Sequence, residues 1–426
     1  MHTAQAQTAS PDALMQKIEA MANELARLQA EVAQLKSAQT KTEATALQAS
    51  TQAQAASATA QATSTALAGS GLKLPGGTAT VLTGYGEINY NRYTKNSAAN
   101  QIDLRRSVLG VQHRFDDKTK FVGEFEWEHA VVSSGDRGEA AIEQAYVEHQ
   151  LTPKLAVRGG LFLVPAGLIN ESHEPSAFYG VERNFVETAI IPSTWREVGA
   201  MLIGNTDNGI TYKAGFATGF DLSKWDSKAG DGKESPLSSI HQEGQFAKAK
   251  NISLFGAVDW RGMPGLLVGA SVFSGKAGHG ALSGDADPSI TLWDAHVRWT
   301  PGKWDLSAVY AAGSISGLGK YNTAFAGDPT PIPSKFDGGY VQVAYKLWSS
   351  GDYQLKPFAR YERYNTAKSY EGFPAGLGRA ADPYERIVTV GANFHVSPNV
   401  VVKTDYQVFA VNKDYNRFNV GLGWSF

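Results

Sequence analysis

The chain has 426 residues, 19% of them charged, a formal net charge of -2 and no cysteine. The missing cysteine excludes a disulfide framework, a thiolate metal site and a cysteine nucleophile, and the near-neutral balance gives no electrostatic case for nucleic acid. No apolar run approaches the roughly 18 residues of a membrane helix, which leaves membrane barrels open, because their strands alternate and carry a weak hydropathy signal.

Residues 1–11 (MHTAQAQTASP) show no basic start followed by an apolar run, so no intact export signal is read there. Their Ala-Gln-Ala-Gln segment reads as the beginning of a mature exported protein, or a tag remnant, behind an added Met1. Across 12–36, Leu14, Ile18, Met21, Leu25, Leu28, Val32 and Leu35 recur at 4-3-4-3-4-3 spacing, the a/d seam of a coiled coil. Ala, Gln, Glu, Lys and Arg fill the other faces, and Pro11 with Asp12 supplies a helix start. The spacing predicts a self-associating α-helical coil; a single amphipathic helix docked on a globular domain is the alternative. Residues 37–77 are rich in Ala, Thr, Gln and Ser without an apolar seam, a flexible or part-helical linker that ends in the breakers of GSGLKLPGG.

Over 78–426 the period changes to two. Phe418, Val420, Leu422, Trp424 and Phe426 alternate with Asn419, Gly421, Gly423 and Ser425, and the same pattern runs through Phe121–Glu128, Trp293–Trp299, Val341–Leu347 and Val400–Val408. Charged residues stand mid-strand on the polar faces while the apolar faces end in Trp, Tyr or Phe. Lipid outside, water inside and aromatic girdles at both interfaces produce that arrangement. The predicted strands are 80–93, 101–115, 119–130, 139–151, 154–163, 195–204, 209–219, 250–261, 265–275, 290–300, 304–313, 338–348, 353–364, 385–396, 400–411 and 415–426. That is about sixteen, an even number, with short and long connections in strict alternation, as in an all-β transmembrane barrel of antiparallel strands. A barrel of this size encloses an aqueous channel, and closure leaves no unpaired edge in hydrocarbon.

The longest interruption in the first half is 164–194, VPAGLINESHEPSAFYGVERNFVETAIIPST. A loop of this length without secondary structure of its own is functional or disordered. Leu168, Ile169, Phe178, Tyr179, Phe185, Ile190 and Ile191 argue against disorder, because they need burial. The loop is expected to fold into the lumen from the extracellular side and narrow it.

Three stretches carry a resemblance. IDLRRSVLGVQHRF (Ile102–Phe115), GLFLVPAGLINESHEP (Gly160–Pro175) and the run from Glu182 and Arg183 to IIPSTWREVGA resemble the phosphate-selective porins O and P. The aromatic-rich last strand ending in Phe426 resembles the C-terminal signal of bacterial outer-membrane proteins, and the leading heptads are similar to those of trimeric dicarboxylate-type porins with a periplasmic coiled coil. The resemblance implies a homotrimer in the bacterial outer membrane, in contact with lipid and lipopolysaccharide, with the coil in the periplasm and a constriction loop at 164–194.

Parity places cations at Arg106, Arg114, Arg158, Lys213, Arg298, Lys346, Lys356, Arg360 and Lys403 on inward faces, against acids at Glu87, Glu124, Glu126, Glu128, Asp294, Glu362 and Asp405. Arginine suits oxyanions because its fork bonds two oxygens at once. The candidates for selectivity are Arg105, Arg106, Arg158, Arg183, Arg196, Lys213, Arg298, Lys346, Arg360 and Lys403, with Glu171, His173, Glu174, Tyr179, Glu182 and Glu187 in the loop. The alternative is that inward charges pair with one another and only keep the lumen wet. The four loop glutamates depart from a dense arginine cluster and favour a broader small-anion preference over phosphate alone.

Asn170-Glu171-Ser172-His173-Glu174 gathers metal-ligating residue types without the spacing of a zinc or calcium site, so no metal is expected. The histidines are scattered and no serine occupies a G-x-S-x-G elbow, so no enzyme and no cofactor are expected. The sequence thus predicts a trimeric porin for passive diffusion of small hydrophilic solutes, preferentially anions. Two alternatives stand: a structural protein whose residues 12–68 tether the outer membrane to the cell wall, and a soluble all-β sandwich.

Overall fold

Alternation in the sequence becomes alternation in space. The computed structural model describes residues 79–228, 235–281 and 287–426, together with 23, 27–31 and 34. The strands are β1 (Ala79–Tyr93), β2 (Gln101–Arg114), β3 (Thr119–Glu128), β4 (Ala140–Thr152), β5 (Leu155–Leu163), β6 (Arg196–Asn205), β7 (Ile210–Ala217) and β8 (Ser253–Trp260). They continue with β9 (Leu266–Lys276), β10 (Ser289–Trp299), β11 (Trp304–Ser316), β12 (Lys335–Tyr345, resumed at Trp348–Ser350), β13 (Tyr353–Ser369), β14 (Glu385–Ser397), β15 (Val400–Phe409) and β16 (Arg417–Ser425).

Every strand pairs antiparallel with its sequence neighbours, and β1 pairs β16 from Tyr85↔Ser425 to Tyr93↔Arg417, so the sheet closes as a barrel of sixteen strands. The last residue joins the seam through Phe426 N–H to the Gly84 carbonyl at 2.8 Å and the reciprocal bond at 3.0 Å. No edge is left for hydrocarbon to face.

The outer face is aliphatic in the middle and aromatic toward the rims. Leu202, Val258, Val268, Val341, Val388 and Val390 are exposed along it, and Trp260, Trp299, Trp304, Trp348 and Tyr353 are exposed where strands meet the short turns. Such a belt is tolerable only in lipid. No described helix is long and apolar enough to cross a membrane.

The strand expectations hold to within a few residues, with two differences. β13 runs to Ser369, five residues beyond its expected end at 364, because Asn365 accepts from the Ala367 N–H at 2.8 Å and carries the ladder past a bulge opposite Lys335–Asp337. β12 breaks at Lys346 and Leu347, whose N–H groups bond the Lys303 and Leu355 carbonyls instead. Among the heptad positions only Leu28 is described, in a helical segment and half exposed. Leu14, Ile18, Met21, Leu25, Val32, Leu35 and the linker 37–77 lie outside the described residues. The chain divides into two compact units, Met1–Gly69 and Ser70–Phe426.

The core sits inside the barrel at its long-loop end. Val186, Ile190, Ile191 and Trp195 pack with Phe220, Leu222 and Ile240 of the next long loop, with Leu318 and Ile332 of the β11–β12 connection, and with Phe162, Phe255, Phe273 and Phe336 of the wall. Trp195 stacks 5.2 Å from Phe220 and tilts 4.6 Å from Phe273.

Candidate functional site

The 164–194 segment enters the lumen, as its hydrophobic content requires. Its neck is closed by Asn170, which donates to the Val164 and Trp195 carbonyls at 2.7 and 3.0 Å and accepts from the Trp195 N–H at 2.7 Å. Its interior is organised by Glu187, whose carboxylate takes hydrogen bonds from Leu168 N–H (2.5 Å), Ile169 N–H (2.8 Å), Asn184 Nδ2 (2.7 Å) and the Tyr340 hydroxyl of β12 (3.0 Å). Burial raises the pKa of Glu187, against the pull of those donors. Gly167 makes this fit possible: φ is +67° and a Cβ there would meet Glu187 Oε1 at 2.3 Å. A single π-type turn, Val186–Ile190, follows.

The wall then grips the loop by its backbone. Asn393 Nδ2 donates to the Phe178 carbonyl (3.1 Å) and Arg360 to that of Tyr179 (3.0 Å). Asp405 accepts from Val181 N–H (2.6 Å) and Glu362 from Phe185 N–H (2.7 Å). On other sides Glu182 accepts from Asn91 of β1 at 3.0 Å, Lys213 of β7 reaches Glu171, and Gly167 N–H bonds Asp294 of β10 at 3.1 Å. Contacts with β1, β7, β10, β13, β14 and β15 place the loop across the lumen. A cavity of about 620 Å³ lies beside it, lined among others by Phe185, Thr188, Tyr364, Phe409 and Arg417.

Most expected selectivity cations are committed to carboxylates. Arg106 serves Glu87 (3.0 Å), Glu126 (3.1 Å) and Glu128 (3.5 Å). Arg158 forks onto Glu148 at 2.7 and 3.1 Å, Arg298 onto Asp305 at 2.7 and 3.0 Å, and Arg196 meets Glu243 at 2.9 Å. Arg360 pairs with Glu362 and Lys213 with Glu171. Arg105, displaced by a β-bulge opposite Glu87 and Ile88, stands 4.0 Å from Asp103. Lys346 has no carboxylate within ion-pair distance among the described residues.

Two cations differ. Arg183 donates to Ser193 Oγ (2.6 Å), Thr194 Oγ1 (2.7 Å) and the His173 carbonyl (3.2 Å), and to no carboxylate among the described residues. Its pKa is lowered by burial and by the charge of Arg106. Lys403 lies buried with Nζ 3.4 Å from the Phe178 ring centroid and no hydrogen-bond acceptor among the described residues. Tyr179 donates to Asp305 at 3.2 Å. Burial pushes Glu182 up, but Arg417, then Arg105, pull its pKa below the ordinary carboxylate range.

Sequence reasoning overlooked Tyr85, Glu143, Glu148, Asp305 and Arg417. Glu143 is the telling case. The β3–β4 register jumps from Glu124↔Gln144 to Phe125↔Ile142, so Glu143 is the extra residue of a bulge and turns inward where strict alternation sends it outward. It is wholly buried. His173 of the loop joins it, its Nε2 2.7 Å from the Tyr85 hydroxyl and 3.7 Å from Glu143 Oε2.

Residues 78–241 match the family described as phosphate-selective porin O and P. An uncharacterized protein of Aquifex aeolicus (strain VF5) is 32% identical over 354 residues, covering 80% of this chain and 79% of that protein. The fold is similar to that of the outer-membrane channel DcaP of Acinetobacter baumannii, with TM-score 0.52, 16% identity, 84% of this chain and 99% of that chain covered. It is also similar to an anion-selective porin from Comamonas acidovorans, with TM-score 0.50, 13% identity and coverages of 82% and 100%. A closed sixteen-stranded barrel with a lipid-facing belt and a loop laid across its lumen agrees with these matches, and the chain belongs to the porin O and P family of outer-membrane porins.

Proposed function

We propose that this porin passes small hydrophilic anions by passive diffusion, as a homotrimer, with 164–194 as its constriction. The observation that carries the anion preference is a surplus of N–H donors without acceptors in the lumen. Lys403 Nζ, Asn89 Nδ2, Arg360 Nη2 and Gln407 Nε2 are buried and have no hydrogen-bond partner among the described residues. They stand in register: Lys403 and Asn89 flank Gly421, and Arg360, Thr389 and Gln407 are direct cross-strand neighbours. With Arg183 of the loop, they add donor dipoles and positive charge beneath the lumen surface, whose low-dielectric setting projects that field toward a passing oxyanion.

Three of the four loop glutamates are engaged within the protein: Glu187 by its donors, Glu171 by Lys213 and Glu182 by Asn91. The family's description as phosphate-selective and the anion selectivity of the Comamonas porin point the same way, while the paired cations favour a broad preference for phosphate, dicarboxylates and similar anions. Trimerisation rests on the family resemblance and on a similar barrel, OmpT of Vibrio cholerae, described in a trimer form. The test is single-channel recording in planar bilayers, with reversal potentials under gradients of chloride, phosphate and a dicarboxylate. Reversal near the anion equilibrium potential is expected; absence of conductance, or reversal near the cation potential, overturns the reading.

A further inference from the structure

Behind the loop's first turn lies a group of side chains that permeation does not use. Glu124 of β3, Glu143 of β4 and His173 of the loop each bring a ligating atom to a common point, all within 4.8 Å of one another. We infer that these three residues bind a divalent cation of the first transition row, such as Zn²⁺ or Mn²⁺, which fastens the pore loop to the β3–β4 wall.

The setting of His173 supports a ligand role. Its Nδ1 lies 3.0 Å from the Asn170 carbonyl, and its Nε2 faces the Tyr85 hydroxyl at 2.7 Å and Glu143 Oε2 at 3.7 Å. A ring nitrogen anchored on a backbone carbonyl is the usual support of a metal-bound histidine. The carboxylates are supported too: Gln144 Nε2 donates to Glu124 Oε2 at 2.5 Å and the Tyr85 hydroxyl to Glu143 Oε2 at 3.0 Å.

Charge gives the second, independent argument. Glu143 is fully buried, and its Oε1 has no hydrogen-bond partner among the described residues. Among the described residues no lysine or arginine lies within ion-pair distance of Glu124 or Glu143. Arg106 is committed to Glu87, Glu126 and Glu128, and Arg183 to Ser193, Thr194 and the His173 carbonyl. A carboxylate oxygen buried without a donor is costly. One imidazole and two carboxylates with open positions suit a transition metal better than calcium or magnesium, which favour all-oxygen shells. Donors held at about 2.0–2.2 Å from a cation lie within about 4.4 Å of one another, so a small closure of the side chains completes the site.

The experiment uses the full chain in detergent, stripped with a chelator, and titrated with Zn²⁺ against a chromophoric competitor. Saturable binding of one zinc per chain is expected, with X-ray absorption giving a nitrogen/oxygen shell that contains one imidazole. Glu124→Gln and His173→Ala should each weaken binding at least tenfold while the barrel keeps its heat-modifiable migration. Glu124, the least buried of the three, carries the result should the His173 variant fail to fold. No saturable binding, a shell without imidazole, or affinity within threefold of wild type in the folded variants overturns the assignment. Because the readout is metal affinity, its failure leaves the anion reading untouched, and the reverse also holds.

Discussion

Replacing Glu187 by alanine removes the acceptor around which the pore loop is built. Four donors lose their partner at once: the N–H groups of Leu168 and Ile169, the Asn184 amide and the Tyr340 hydroxyl. A buried donor left unsatisfied costs about 1–3 kcal/mol. Water entering the emptied space restores part of this, and the desolvation of the carboxylate is also relieved, so a net loss of about 3–5 kcal/mol in the loop's local stability is the working figure. At about 1.4 kcal/mol per tenfold, hydrogen-exchange protection at Leu168 and Ile169 should fall roughly 10²- to 10⁴-fold. The barrel ladder does not involve Glu187, so strand amides should keep their protection. Glu187→Gln should be milder, because its oxygen can still serve the two backbone donors. Asn184 cannot turn over to help, since its own Oδ1 already accepts from the Glu187 N–H at 2.8 Å. Protection at Leu168 and Ile169 within tenfold of wild type, or equal loosening of the strands, would refute the reasoning.

Three further substitutions probe other levels of the structure. Gly167→Ala places a Cβ 2.3 Å from Glu187 Oε1 in a left-handed conformation, and should raise exchange at the same two amides by at least tenfold. Arg183→Glu reverses the sign of a loop cation without a carboxylate partner; the anion-to-cation permeability ratio from reversal potentials should fall about tenfold, and an unchanged ratio would remove Arg183 from the selectivity site. Val390→Arg puts a charge on the exposed outer face of β14 and should cost about 2–4 kcal/mol in reversible unfolding from lipid vesicles, the penalty of a midplane site.

The strands were legible because lipid and lumen impose opposite demands on successive residues, and that demand is written locally. Val341–Leu347 or Phe418–Phe426 can be read without knowing any partner. The loop was legible through its contradiction, an irregular stretch with too many apolar side chains. What stayed hidden depends on register. Arg158 finds Glu148 ten residues away and Arg106 finds Glu87 nineteen away only because turn lengths fix which residues face each other. Bulges hide more, since one extra residue reverses parity downstream: Glu143 was lost this way, and with it the reason His173 points to the wall. His173 was noticed among Glu171 and Glu174, yet its partners Tyr85 and Glu143 come from β1 and β4, which no local spacing could reveal.

The bonds that hold the loop also set an order of events. Glu187 meets Tyr340 across 153 positions of chain, Phe185 meets Glu362 across 177 and Val181 meets Asp405 across 224. Hairpins between neighbouring strands close far shorter loops, and contacts of long sequence separation form late because their closure entropy must be met first. The hairpins between neighbouring strands therefore form before the lumen contents settle, while the β1–β16 seam, where Asn91 meets Asn419 across 328 positions, closes over a still longer separation; residues 164–194 remain unanchored while the hairpins form. In pulse-labelled refolding into vesicles, protection at Leu168 and Ile169 should appear after protection of the strand ladder. Anchoring of residues 164–194 thus follows the hairpins, and the lumen takes its final shape only after most of the wall exists.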